Sequence, residues 1–495
     1  MKKILIILCS MTCCIALQAQ SRSFEEFQKQ QNARFNQFKQ DKQAEFDAFR
    51  NKQNERYAEF IKKNWGKFHG QQAVEPKEEK PVPPVIYDTA PSSQPIPEAE
   101  PATPILVEED IVPIHQPLPQ PEPIAPVEPK KDESYKTYAI SFYGTLVSVG
   151  FPRQKEFCLH GIDEEYLANA WTELSSPEYD ITLNNVLAAR DHLSLCDWGY
   201  LKLLQAITEK RYGKTNEAVF MQAFLLSQSG YKMRLATDKE KLYLLVASQH
   251  GIFSMMYFMV DNDKFYALNC NSHELYICNA SFDKEQAISM QLRQEQNLDL
   301  ELTQPRTLTS EQGVKATVMV NKNMIDFFND YPSAYINDDP NTCWAVHANT
   351  PLEQTIKDKL YPDLKKAIAG LNEYDAVNKL LNFVQTAFEY EYDDKVWGSD
   401  RVFFSSETLY YPYADCEDRS ILFSRIIRDL LGLDVVLLNY PGHLATAVAF
   451  TTEVRGDYLI FNNKRYVVCD PTYIHAPVGE TMPSMNNKEA KIVVL

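Results

Sequence analysis

Cys416, His443 and Asp470 stand at equal intervals near the end of the chain, and their types in that order suit acyl transfer through sulfur. A thiolate attacks a carbonyl carbon, but an unperturbed thiol with a pKa of about 8.5 is only a few per cent ionised at neutral pH, so it needs a base. An imidazole takes the proton and returns it to the leaving amine, and a carboxylate fixes the ring's orientation. Water as acceptor gives hydrolysis of an amide, and an amine as acceptor gives cross-linking. Spacing alone does not choose between them.

The elements around these residues have to place them. The run from Tyr413 to Gly432 predicts a helix with Asp415 at its N-cap and Cys416 in the first turn. Ile421, Leu422, Ile426, Ile427, Leu430 and Leu431 form its buried face, and Gly432 is the stop. A thiol at a helix start is expected to favour the thiolate. Glu417 opposes that expectation unless Arg419 or Arg425 pairs with it. Tyr440-Pro-Gly-His443 places the histidine after a turn at the head of a strand. Arg465 to Asp470 reads as a strand that Pro471 ends. Stabilising the tetrahedral anion calls for a donor beside the backbone N–H of Cys416. Gln385, on the preceding helix, is the candidate oxyanion residue, with Trp397 behind it. Aromatic residues crowd Tyr390 to Tyr413, as in a substrate groove or an ordinary core. Singly, each residue has a plain structural reading: a buried helix cysteine, a core histidine, a strand-end cap. His475 is a rival base and Cys469 a core residue.

The segments "DCEDRSILFSRIIRDLLG", "GHLATAV" and "CDPTY" together resemble the transglutaminase-like superfamily over roughly residues 370 to 475. The resemblance implies a papain-related α+β fold and a Cys416, His443, Asp470 catalytic triad. The cysteine spacings contain no CxxC metal pair, and neither a metal nor a cofactor is expected. That family includes cross-linking transglutaminases, peptidases, peptide N-glycanases and inactive members. This sequence departs from it at Ala445, where many relatives carry an aromatic residue, and in an extra strand, Tyr458 to Phe461. The expected activity is cysteine peptidase-like hydrolysis of a peptide or protein. The alternatives are a protein cross-linking acyltransferase and a non-catalytic envelope binding or scaffold protein.

A chain of 495 residues, 44% hydrophobic, suffices for two globular units with accessory segments. Its net charge of −17 argues against nucleic acid as a partner. Lys2 and Lys3, the apolar run Ile4 to Leu17 and Ala19 read as an export signal, residues 1–19, with the mature chain starting near Gln20. The expected location is the periplasm or the cell surface. No later stretch reaches the roughly 18 apolar residues of a transmembrane helix. Of ten cysteines, three lie in the signal, and the remaining odd number leaves at least one thiol free or paired between chains.

Residues 20–70 carry aromatic pairs eleven residues apart: Phe24 and Phe27, Phe35 and Phe38, Phe46 and Phe49, Tyr57 and Phe60. That period holds a stripe on one side of a long helix. Self-association as a coiled coil, a partner helix or a membrane surface would cover it. Residues 71–134 form a proline-rich linker; Pro76 to Pro129 holds more than half of the chain's 28 prolines and is expected to separate stalk from globular part. Globular sequence begins with a strand-like run, Tyr138 to Gly150. Aligning Gly230 with Gly432 superposes Ala218–Ser229 on Ser420–Leu431, Leu242–Ala247 on Leu444–Ala449, and, with one slip, Phe265–Leu268 on Tyr466–Val468. Lys214, Lys241 and Asn269 then fall on Cys416, His443 and Asp470. Residues 135–304 are therefore expected to be a degenerate copy of the catalytic unit 305–495. Val314 to Val320 reads as a strand between them, and Met324–Asp330 and Asn378–Phe388 as helices.

Overall fold

Strand pairing divides most of the chain's β-structure between two six-stranded sheets of like design. The computed structural model describes residues 34, 37–38, 40–68, 70–76, 80, 104–105, 134–153, 156–268, 270–398 and 400–495. The expected export signal, Phe24, Phe27 and Phe35 of the aromatic repeat, and most of the proline-rich segment lie outside the described residues.

The first sheet contains Met233–Thr237, Leu242–Ala247, Tyr257–Val260, Asp263–Ala267 and Glu274–Ile277. The second contains Asp434–Tyr440, His443–Ala449, Tyr458–Phe461, Lys464–Cys469 and Lys491–Val494. Taken in chain order, both sets line up as fifth, first, second, fourth, third, and every one of these pairs is antiparallel. The registers coincide as well. Met233 faces Val246 as Val435 faces Val448, and Thr237 faces Leu242 as Asn439 faces Leu444. Leu245 faces Ala267 as Ala447 faces Val468. A helix precedes each sheet, Asn216–Gln228 in one half and Cys416–Leu431 in the other, and each is followed by a glycine of positive φ, Gly230 and Gly432. Gly432 sits in the left-handed region that ends a helix without a Cβ clash. The chain is thus an α+β protein with a repeated sheet.

The sixth strands differ and come from segments expected to lie apart. Gly70–Gln72 extends the first sheet beside Glu274–Ile277. Pro104–Ile105, within the expected linker, runs parallel to Tyr458–Phe461 at the edge of the second.

Several boundaries change. Tyr138–Gly150 is a hairpin, Tyr135–Phe142 with Thr145–Pro152, because Tyr143 and Gly144 both adopt positive φ and turn the chain. The aromatic helix does not stand off from the globular part. Residues 40–64 are helical, and Gln53, Asn54, Tyr57 and Ile61 form a buried face that continues to Trp65. Tyr57 packs 4.2 Å from Trp171 and 4.7 Å from Phe282. Asn54 accepts from Trp171 Nε1 and donates to Gln228. At this end the chain itself covers the stripe, while Phe38 and Phe49 stay exposed. Nor does the apolar core divide near residue 305. One buried cluster runs from Tyr57 to Val478, with Phe328 stacked on Phe404 at 4.4 Å. All seven cysteines among the described residues are free thiols.

Candidate active site

The turn Tyr440-Pro-Gly-His443 closes a tight hairpin in which Tyr440 pairs with His443 and Gly442 has φ +80°, the conformation that a Pro-Gly type II turn requires at its third position. His443 therefore starts its strand with its side chain fully buried. Its Nε2 lies 2.8 Å from Asp470 Oδ2. The other carboxylate oxygen, Oδ1, accepts the backbone N–H groups of Thr472 and Tyr473. Both oxygens of Asp470 are engaged, and the imidazole is held at one end. His443 Nδ1, at the other end, is buried with no hydrogen-bond partner among the described residues.

Cys416 opens its helix, as the sequence predicts, and Asp415 occupies the N-cap position without making the capping bond. Ser420, one turn along, donates to the Leu444 carbonyl at 2.9 Å and ties the helix to the His443 strand. Cys416 and Leu444 share one buried cluster, so the thiol lies against the residue next to His443, and the Leu444 backbone favours the thiolate. Arg419 donates to the carbonyls of Ala414, Gln385 and Phe388, clamping the start of this helix to the end of the helix Glu373–Thr386.

The electrostatics run against the expected thiolate. Burial first, then the Glu417 and Asp415 carboxylates, push the Cys416 thiol well above its ordinary value. Neither arginine pairs with Glu417: Arg419 donates to carbonyls and Arg425 pairs with Asp429. Instead Cys416 Sγ donates to Glu417 Oε2 at 3.3 Å. Glu417 belongs to an acidic group with Asp393, Asp415, Asp418 and the half-buried Asp400. Burial, then neighbouring carboxylates, raise Glu417 and Asp418 far above the carboxylate range, and Asp393 to about 8. Asp415 is raised to about 6, chiefly by burial. Asp393, Asp400 and Glu417 each bring an oxygen within 4.8 Å of the others, a donor set of the kind a hard cation such as calcium accepts. Glu417 Oε1 and Asp418 Oδ2 are buried without partners among the described residues. The sequence pointed to no metal here, because Asp393 and Asp400 meet Glu417 only through the fold.

Gln385 is not placed as an oxyanion donor. Its Nε2 lies within hydrogen-bonding distance of the carbonyls of Asp470, Tyr473 and Ala476, which consumes both amide hydrogens and braces the Asp470 turn. Trp397, half-buried, packs against Tyr411 and Phe403. A donor the sequence reading missed is Trp344. Its Nε1 is buried and unpartnered among the described residues, and its ring shares an apolar cluster with Cys416, Phe253, Tyr335 and Val402. The short helix Cys343–Asn349 carried no chemical signal in the sequence. His475 is exposed and bonds to Glu311, away from this site, and Cys469 is core.

That cluster also closes the site: Cys416 and His443 are each 1% exposed. A substrate carbonyl reaches the sulfur only when part of this wall moves. Among the described residues no helix is long and apolar enough to cross a membrane. No protein-family model, curated protein or solved structure matches the chain.

Proposed function

We propose that the chain is an exported thiol-dependent hydrolase of amide bonds in peptides or proteins, with a transglutaminase-like, papain-related catalytic unit. The observation that carries this reading is the buried His443–Asp470 pair, with Nδ1 unpartnered in the strand against which the Cys416 thiol lies. In the proposed reaction the thiol passes its proton to His443 Nδ1 and sulfur bonds to the substrate carbonyl carbon. The backbone N–H of Cys416, with Trp344 as second candidate donor, stabilises the oxyanion. His443 returns the proton to the departing amine, leaving a thioester. Water, deprotonated by the same imidazole, releases the acid and restores the thiol. Asp470 keeps the ring aligned throughout.

A second reading has its own support. The neutral, closed thiol bonded to Glu417 suits a binding protein built on a retired enzyme fold. Iodoacetamide labelling of Cys416 against pH separates the two. Under the hydrolase reading, labelling of the wild type near neutrality falls in His443→Ala and in Asp470→Asn, while the exposed Cys158 labels equally in all three. Labelling that is absent, or indifferent to both substitutions, overturns it.

A further inference from the structure

Between the strands Leu242–Ala247 and Tyr257–Val260 the first unit sends out a loop, residues 248–256, whose counterpart in the second unit is residues 450–457. The counterpart stays on its own half, where Thr451 donates to Glu373 and the Asp457 N–H to the Gly479 carbonyl. The first unit's loop instead reaches across. Gly251 and Ile252 pair antiparallel with Tyr335 and Ala334, and the Phe253 N–H donates to the Ser333 carbonyl at 3.0 Å. The Tyr335 ring lies so close over Gly251 that a Cβ there would come within 1.9 Å of it, so the crossing requires glycine.

The crossing delivers one side chain to the catalytic half. Phe253 is buried, its ring centroid lies 4.8 Å from that of Tyr335, and both rings belong to the apolar cluster that holds Cys416, Trp344, Val402 and Leu444. Among the described residues, Phe253 is the one member of that cluster drawn from the first unit. What holds the loop there is slight: a ladder of two residue pairs, and the ion pair of Lys264 with the exposed Asp338 at 2.6 Å. Ser254, the next residue, is exposed and in the left-handed region at φ +59°. A short ladder beside an exposed turn opens at a lower free energy than the cores on either side of it.

We infer that Phe253 is the movable wall of the Cys416 site: at rest its ring fills an apolar slot beside the thiol, and when residues 248–256 swing out, an aromatic or large aliphatic side chain of the substrate takes the ring's place. The first unit, which lacks the triad, thereby controls entry to the second. The apolar character of the entering side chain follows from the walls that remain, Tyr335, Trp344, Val402 and Leu444, among which a charged group would be buried without a partner. That the entering group belongs to a peptide rests on the proposed hydrolase. That Phe253 governs access to the sulfur does not.

Access is measured on the full chain with p-hydroxymercuribenzoate, which captures a thiol without prior ionisation, and Cys416 is followed by peptide mass mapping. Phe253 and Ser333 form the hydrogen-bonded pair of the crossing, so Ile252 and Ala334 are its closer, non-hydrogen-bonded pair, and Ile252→Cys with Ala334→Cys can form a bridge that locks it. The bridged variant should label at Cys416 about tenfold or more slowly than wild type, and should recover once reduced and freed of reductant. Phe253→Ala should label about tenfold or more faster, and equally so in a His443→Ala background, which separates access from activation. The bridge carries the test if Phe253→Ala lowers the urea midpoint, because cross-linking a folded ladder does not unfold it. For the slot, acetyl-phenylalanyl chloromethyl ketone should alkylate Cys416 faster than its aspartyl counterpart. Mercurial labelling that is the same in the bridged, reduced and wild-type chains overturns the gate, and equal rates for the two ketones overturn the apolar slot. A gated thiol that neither ketone alkylates counts against the hydrolase and leaves the gate standing.

Discussion

Cys416 Sγ donates its hydrogen to Glu417 Oε2 at 3.3 Å, while His443 Nδ1, in the adjoining strand, accepts nothing among the described residues. The neighbouring acid therefore holds the thiol in its resting form. At the alkaline pH where the thiol ionises, the acid also opposes thiolate formation by its charge. Glu417→Gln keeps the shape and removes the charge. The thiol pKa should then fall, and because the thiolate fraction below the pKa grows about tenfold for each unit of fall, iodoacetamide labelling of Cys416 near pH ~7 should speed up by about that factor or more. Unchanged or slower labelling would mean that Glu417 does not govern the thiol.

Gln385 and Trp344 are distinguished by which step they touch. Gln385 braces the turn that carries Asp470, so Gln385→Ala should loosen the His443–Asp470 pair and slow both Cys416 alkylation and amide hydrolysis. Trp344→Phe removes a donor that would act only on the oxyanion. It should lower kcat by on the order of 10²-fold while leaving alkylation, which forms no oxyanion, near the wild-type rate. The reverse pattern would restore Gln385 as the oxyanion residue.

Buried acids make stability depend on pH in a direction opposite to that of salt-bridged acids. Burial raises Glu353 to about 7, despite the hydrogen bond from Ser406, and Glu407 to about 7 despite Arg401; Asp393 rises to about 8. In the unfolded chain such groups lose their protons near pH ~4. Between that pH and the folded values the native state binds more protons than the unfolded one, so stability falls as pH rises. The contribution is complete below pH ~4 and is lost through pH ~7 to ~8. Urea midpoints should therefore be lower at pH ~8 than at pH ~5, and Glu353→Gln should shrink that difference by up to about 3 kcal/mol. A slope that is flat, or rises with pH, would show that other groups dominate.

What was legible in the sequence was local. Pro441 and Gly442 announce the hairpin that buries His443, Gly432 announces the end of the Cys416 helix, and the strand Leu242–Ala247 has the bounds its apolar run suggests. What was not legible depends on distant contacts or on unfavourable backbone. Tyr143 takes φ +43° without being glycine, which hid the first hairpin. Gln385 faces inward as an oxyanion donor should, but three carbonyls from another segment claim its amide. Asp393 and Asp400 are unremarkable on their own and become an acidic centre only beside Glu417. Arg419 reads as a candidate counter-ion for Glu417, but the carbonyls of Gln385, Phe388 and Ala414 take its guanidinium.

The aromatic helix gives a prediction about assembly. An eleven-residue stripe in isolation calls for a second helix, but the buried positions Asn54, Tyr57, Ile61 and Trp65 follow the three- and four-residue spacing of a helix lying on a surface, and the surface is the chain's own Trp171 and Phe282. Tyr57→Ala should therefore destabilise the globular unit itself, by about 3–5 kcal/mol as for other large buried aromatics, with a lower urea midpoint and no change in sedimentation. Phe38→Ser with Phe49→Ser alters side chains that are exposed in the chain alone. That pair should leave the urea midpoint within about 0.5 kcal/mol of wild type. If the first substitution instead converts a dimer to a stable monomer, the helix serves association rather than the fold of its own chain.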